Sequence, residues 1–172
     1  GEVFEVPCDL AYQVKKALQI GEYEKPERDL IARHLPAGMD VVELGGSIGI
    51  VSRFIRRKIG PEPRHVIVEA NRSLEPLLRR NAGIAEDSDR TSIDFAAIWY
   101  GDRERVDFLV GNDIVSNRVV GSPGSETVSV PARTLGQILR EHAITGRYSL
   151  VCDIEGAEYD LIEKDREALE NC

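Results

Sequence analysis

The sequence predicts an α/β domain built on a doubly wound, mostly parallel sheet, and three observations lead there. Short apolar runs at 41–42, 66–68 and 91–99 alternate with segments whose apolar residues recur every three or four positions. The connections between them are short, which for alternating strands and helices implies parallel pairing with right-handed crossovers. A glycine turn, Gly45-Gly46-Ser47-Ile48-Gly49, joins the first strand directly to a helix. Strand, glycine turn and helix in that order form a backbone cradle. Small residues admit a ligand to the main chain, and the helix N-terminus offers free N–H groups.

Each element follows from its residues. Residues 1–38 read as helical cover, with Leu10, Val14 and Leu18 as one apolar stripe and Leu30, Ile31 and Leu35 as another. Val41 and Val42 end a buried strand that Glu43 closes. Ile48, Val51, Ile55 and Ile59 make the buried side of the next helix, which Gly60 and Pro61-Glu62-Pro63 stop. His65 to Glu69 is a short strand ending in an acid. Ser73 reads as an N-cap, with Glu75 and Pro76 in the first turn, Leu74, Leu77 and Leu78 buried, and Ala82-Gly83 at the end. Glu86 to Asp89 is a surface loop, and Thr91 to Trp99 one further strand.

The pattern then changes. Val106 to Val120 alternates like a hairpin or small meander, Gly121 to Ser125 reads as a flexible loop, and Thr127 to Pro131 as a strand. Together they predict a β-hairpin insertion around 105–130. Thr134 caps a helix with Leu135, Ile138 and Leu139 inside. Tyr148 to Ile154 is the next core strand, and Glu155-Gly156-Ala157-Glu158 opens a last helix through Leu169. No repeat or linker interrupts the chain, so 1–172 reads as a single domain. About four parallel strands precede the end, so the sheet is expected to be C-terminally incomplete, or covered at its open edge by a homo-oligomeric partner.

Composition narrows the function. The chain of 172 residues is 42% hydrophobic and 30% charged, with a formal net charge of -8. That balance disfavours a nucleic-acid footprint, which needs a concentrated positive field. The basic cluster Arg53, Arg56, Arg57, Lys58 and Arg64 reads as a solvated helix face whose cations complement the helix dipole. No apolar run reaches the roughly 18 residues of a membrane span, so a cytoplasmic protein without a membrane partner is expected. Cys8, Cys152 and Cys172 fit neither a disulfide framework nor a zinc site, and His34, His65 and His142 show no ligand spacing.

The turn also discriminates between ligands. A dinucleotide fingerprint needs Gly-x-Gly-x-x-Gly after the strand, and Ser47 stands where the second glycine belongs. Glu43, two residues before Gly45, would repel a pyrophosphate but suits a cationic amino-acid end. Both points favour S-adenosylmethionine over NAD. Ligands in open α/β sheets bind beyond the carboxyl ends of the strands. There, Glu69 stands where an acid takes the ribose hydroxyls, followed by Ala70 and Asn71. Ala97 and Ile98, ending the third strand, would border the adenine. Asp153 and Glu155, two apart on one strand end, face the same side and would raise one another's proton affinity. Either would serve as a general base, and as a pair of oxygen ligands they leave a magnesium-assisted reaction open. A non-catalytic cofactor-binding module is a further alternative.

Taken together, Val41 to Gly49, Val66 to Asn71, Val130 to Leu135 and Leu150 to Leu161 resemble the FkbM-type methyltransferases. The most telling segment is Cys152-Asp153-Ile154-Glu155-Gly156-Ala157-Glu158, which looks like the family's Asp-x-Glu-Gly-x-Glu strand-end motif. Gly21-Glu22-Tyr23-Glu24 is similar to the family pattern as well. The resemblance implies a Rossmann-like fold of the class I methyltransferase type and S-adenosylmethionine as cofactor. It implies methylation, most often of a hydroxyl, here on a small-molecule or glycan acceptor. Glu43, Gly45, Gly46, Ser47 and Gly49 would then hold the methionine end. Departures are Gly136, where members often carry an acid, Glu43 in place of aspartate, and Ala70 in place of proline.

Overall fold

The computed structural model describes residues 3–8, 10–84, 89–109, 118–119, 127–154 and 156–172. Two sheets share the work. The first is wholly parallel and contains β1 (Asp40–Leu44), β2 (His65–Val68), β3 (Thr91–Asp94) and β8 (Tyr148–Cys152), in the order β3-β2-β1-β8. The second has the order β4-β7-β5-β6, from β4 (Ala97–Ile98), β5 (Arg105–Leu109), β6 (Arg118–Val119) and β7 (Thr127–Arg133). The β1 neighbours lie on opposite sides of it, with Val41 opposite His65 on β2 and Asp40 opposite Tyr148 on β8. The chain order therefore reverses beside β1. This is the switch point at which open α/β sheets bind ligands, and the fold is Rossmann-like.

The helices pack as their periodicity requires. In α3 (Ile50–Ile59), Val51, Ile55 and Ile59 are buried, and Ile48 is buried in the turn before it. On the other side of the first sheet, α5 (Leu135–Glu141) buries Leu135, Ile138 and Leu139 against Val42, Val66 and Tyr148. Thr134 and Gln137 close its N-terminus as a reciprocal capping box, satisfying two otherwise orphaned N–H groups. The leading segment supplies α1 (Tyr12–Gln19) and α2 (Lys25–His34), the latter packed on α3 through Ile31 and Leu35.

Several details differ from the sequence expectation. The run 91–99 is two strands, not one. It breaks at Phe95-Ala96, where the chain leaves β2 and Ala97-Ile98 pair with Ala132-Arg133 of β7 instead. Ser73 does not cap α4 (Glu75–Ala82), whose N-cap residue Leu74 makes no side-chain bond; the side-chain cap is Asn71, one short turn earlier. Asn71 Oδ1 accepts the Ser73 N–H at 3.1 Å and opens a short 3-10 turn, Arg72–Leu74. Leu30, expected inside, is 53% exposed. The last helix is broken at Asp165 into α6 (Glu158–Lys164) and α7 (Arg166–Leu169). The hairpin insertion is present: β5 pairs antiparallel with β6 through Phe108 and Val119, and with β7 along its length. The expected loops at 86–89 and 121–125 lie wholly or mostly outside the described residues. Among the described residues, no helix is long and apolar enough to cross a membrane.

Candidate functional site

A cavity of about 390 Å³ opens at the carboxyl ends of β1, β2 and β8, roofed on one side by the second sheet. The glycine turn forms its floor because nothing larger fits. Gly45 holds a φ of +97°, and a Cβ there would come within 2.0 Å of the Asp153 carbonyl oxygen. Gly46 and Ser47 line the cavity beside it. Gly49 does not. A Cβ at Gly49 would meet the Leu78 carbonyl at 2.5 Å, so this glycine lets α3 and α4 approach one another and touches no ligand space.

Glu69 stands in the cavity wall and is held there by the main chain. Ser47 N–H donates to its Oε2 and Asn71 N–H to its Oε1, each at 2.7 Å. The two bonds fix the carboxylate while leaving each oxygen a second lone pair for a hydroxyl donor. Burial raises the proton affinity of Glu69, outweighing those N–H donors. Ala70, Ala97 and Ile98 line the same side. Asn71 is buried in its turn and lines nothing. Its oxygen is spent on Ser73, so it contributes only the N–H that holds Glu69.

Glu43, expected at the cationic end of the ligand, is also elsewhere. It is 1% exposed, with Oε1 accepting the Ser52 hydroxyl at 2.9 Å and Oε2 lying 2.8 Å from His65 Nε2. The register that sets Val41 opposite His65 places that ring on the same face as Glu43. Each oxygen of this carboxylate thus has a side-chain partner inside the sheet-helix interface, away from the cavity.

Asp153 does reach the cavity, following the end of β8. Glu155 lies outside the described residues. The acids that Asp153 meets are Glu24 and Glu27, at the entry to α2, and carboxylate oxygens of all three lie within 4.8 Å of one another. Burial raises the pKa of Glu27 to about 7, assisted by the charges of Glu43, Asp153 and Glu24. Glu24 shifts upward for the same reason, burial first and Asp153 second. Tyr23, 8% exposed at the same wall, is pushed up to about 12 by burial and by Glu24. Arg28, one turn further along α2, lies over the Phe54 ring at 4.8 Å, and its charge partly offsets the upward shift of Glu24.

Sequence reasoning missed Tyr23, Glu24 and Glu27 as site residues, along with Trp99 and Phe108 of the roof. A signal for the first three existed: acids at i and i+3 beside a Pro-containing helix start, directly after Gly21.

The comparison with protein families decides the identity. The model described as the Methyltransferase FkbM domain matches residues 40–172. The chain belongs to this methyltransferase family. The FkbM match begins at the first residue of β1, so Tyr23, Glu24 and Glu27 complete the cavity from outside it. Among curated proteins none matches. A solved structure of a candidate methyltransferase from Thermoplasma acidophilum is 22% identical over 35% of this chain and 26% of that one, with a TM-score of 0.32. The chain therefore aligns to about a quarter of that protein's length.

For this FkbM domain, Gly136 gains a physical reason. Its N–H donates to Asp165 Oδ2 at 2.9 Å, and a Cβ would stand 3.3 Å from the other carboxylate oxygen. An acid there would face Asp165, which also accepts the Tyr100 hydroxyl at 3.1 Å.

Proposed function

We propose that this FkbM domain is an S-adenosylmethionine-dependent methyltransferase acting on a hydroxyl of a small-molecule or glycan acceptor. The observation that carries the reading is Glu69, pinned by two backbone N–H groups at the switch point, with its remaining lone pairs turned to a cavity of about 390 Å³. A carboxylate so held fits the vicinal hydroxyls of an adenosine ribose. The residues present suit the rest of that cofactor. Gly45 and Gly46 bring backbone to the cavity floor without side-chain bulk, and Ala70, Ala97 and Ile98 offer an apolar slot for a purine. The amino-acid end falls to the side of Glu24, Glu27 and Asp153, since Glu43 is committed to Ser52 and His65.

Bound S-adenosylmethionine supplies an electrophilic methyl group. The chain's own part is to hold the acceptor oxygen in line, to exclude water and to take the hydroxyl proton. Asp153 is the base in this reading, because it reaches the cavity from a strand end. Calorimetric titration with S-adenosylhomocysteine, with NAD as control and Glu69→Ala as a second protein, tests the assignment. Micromolar binding of the first ligand alone, lost in the variant, is expected. Equal binding of NAD, or full retention in the variant, would refute it.

A further inference from the structure

The glycine turn is a strained piece of backbone. Gly45, Ser47 and Gly49 all hold positive φ, and Ser47, at +45°, carries a side chain in the left-handed region. Such conformations persist where the surroundings over-determine them. On the cavity side, Glu69 accepts the Ser47 N–H. Away from the cavity, Asn81 of α4 holds the turn; it is 2% exposed and lines no part of the cavity. Asn81 Nδ2 donates to the Ile48 carbonyl at 2.9 Å. The same amide clasps the leading segment. Nδ2 also donates to the Glu5 carbonyl at 2.9 Å, and Oδ1 accepts the Glu5 N–H at 2.7 Å. Both amide donors and the oxygen are thereby used, and these partners fix which way the amide points.

We infer that Asn81 is a positioning residue for the cofactor, coupling a docked N-terminal strap, residues 3–8, to the glycine turn. The strap precedes the region that the family model matches, and Asn81 lies inside that region. A second contact acts in parallel. The Phe4 ring lies 6.4 Å from that of Phe54 and packs on the buried cluster that contains Ile48 and Tyr23. Ile48 and Tyr23 line the cavity, whereas neither Phe4 nor Glu5 does. The strap therefore supports the cavity floor and its Tyr23 wall from behind, without entering the ligand space. The identity of the ligand rests on the methyl-donor reading above. Undocking the strap removes an anchor of the turn. A ligand that binds the ordered turn must then favour the docked strap by the same factor, because linkage is reciprocal.

The test uses the whole chain and two variants, Asn81→Ala and Phe4→Ala, with S-adenosylhomocysteine as the probe. Hydrogen exchange read by mass spectrometry follows the N-terminal peptide, and calorimetry gives the affinity. In the unsubstituted protein, saturating probe should slow exchange of residues 3–8 at least about fivefold, the lower end of ordinary coupling between sites. Each substitution should weaken binding at least about fivefold. Phe4→Ala, outside both turn and cavity, decides the matter should Asn81→Ala not fold. A merely structural role would move the melting temperature alone. Folded variants that melt earlier yet bind the probe with unchanged affinity would overturn the coupling and leave the methyl-donor reading standing. So would a strap whose exchange ignores the bound probe. Failure of the unsubstituted protein to bind would overturn both.

Discussion

Two sets of acids lie on opposite sides of the glycine turn and have opposite fates. On the sheet side, Glu43 is fully enclosed, with a hydroxyl on one oxygen and an imidazole on the other. On the cavity side, Glu24, Glu27 and Asp153 crowd together without an ion pair among the described residues, and burial, aided by the charges of Glu43, Asp153 and Glu24, raises the proton affinity of Glu27. Glu43 and Asp153 both stand at strand ends and both read in the sequence as ligand-binding acids, whereas Glu24 and Glu27 open a helix. The difference teaches that position along the chain does not decide an acid's role; the donors around it do. Saturated, it holds structure together. Unsaturated beside open space, it costs stability that a ligand restores.

The comparison can be broken most sharply at Glu43. Replacing it by Ala strips partners from buried Ser52 and His65 and should cost about 2–4 kcal/mol of stability. A chemical denaturation curve measures this, and the folded fraction should keep its cofactor affinity because Glu43 lines no part of the cavity. Next in size is Glu69→Ala. It should weaken S-adenosylhomocysteine binding about 100-fold, or roughly 2.7 kcal/mol, with a much smaller change in melting temperature. An equal effect of both substitutions on both readouts would erase the distinction.

How much of this was legible in the sequence depends on which contacts set each feature. The parallel sheet and the buried stripes of α3 and α5 were readable because side-chain periodicity along one segment determines them. The capping box at Thr134 was half readable, its Gln137 partner sitting three residues on. The fate of Glu43 was not, because it depends on a cross-strand register that no spacing records. Glu24 and Glu27 escaped for a related reason. They enter the site from a turn in which Glu24 takes a φ of 47°, a backbone state that polar residues adopt in many turns without any functional role. Asn71 was placed in the right loop and given the wrong task, since its amide holds Glu69 instead of touching the ligand.

Two smaller effects sharpen the cavity side. Glu27 has a folded-state pKa of about 7 against an ordinary value of 4.5. The native state therefore binds more protons than the unfolded chain between those values, and stability falls as pH rises from the lower through the higher. Glu27→Gln removes that loss. After allowance for solvent screening, it should stabilise the ligand-free protein by about 1 kcal/mol at pH 8, or roughly 2–4 °C, and hardly at all near pH 4. Thermal melts at the two pH values measure the difference. The smallest effect is a proton balance. A cation seated beside Glu27 favours its ionised form, so binding at pH 7 should release a fraction of a proton and affinity should rise between pH 6 and 8. Titrations in buffers of different ionisation enthalpy report it directly; proton uptake would place the cation elsewhere.

Trp99 offers the most direct check on where the ligand sits, because it is the single tryptophan of the chain and it lines the cavity. Its intrinsic fluorescence, followed during titration with S-adenosylhomocysteine, should change saturably with the calorimetric affinity and stay unchanged in Glu69→Ala at the same concentrations. Calorimetric binding that leaves the Trp99 emission untouched would put the cofactor outside this cavity and contradict the account.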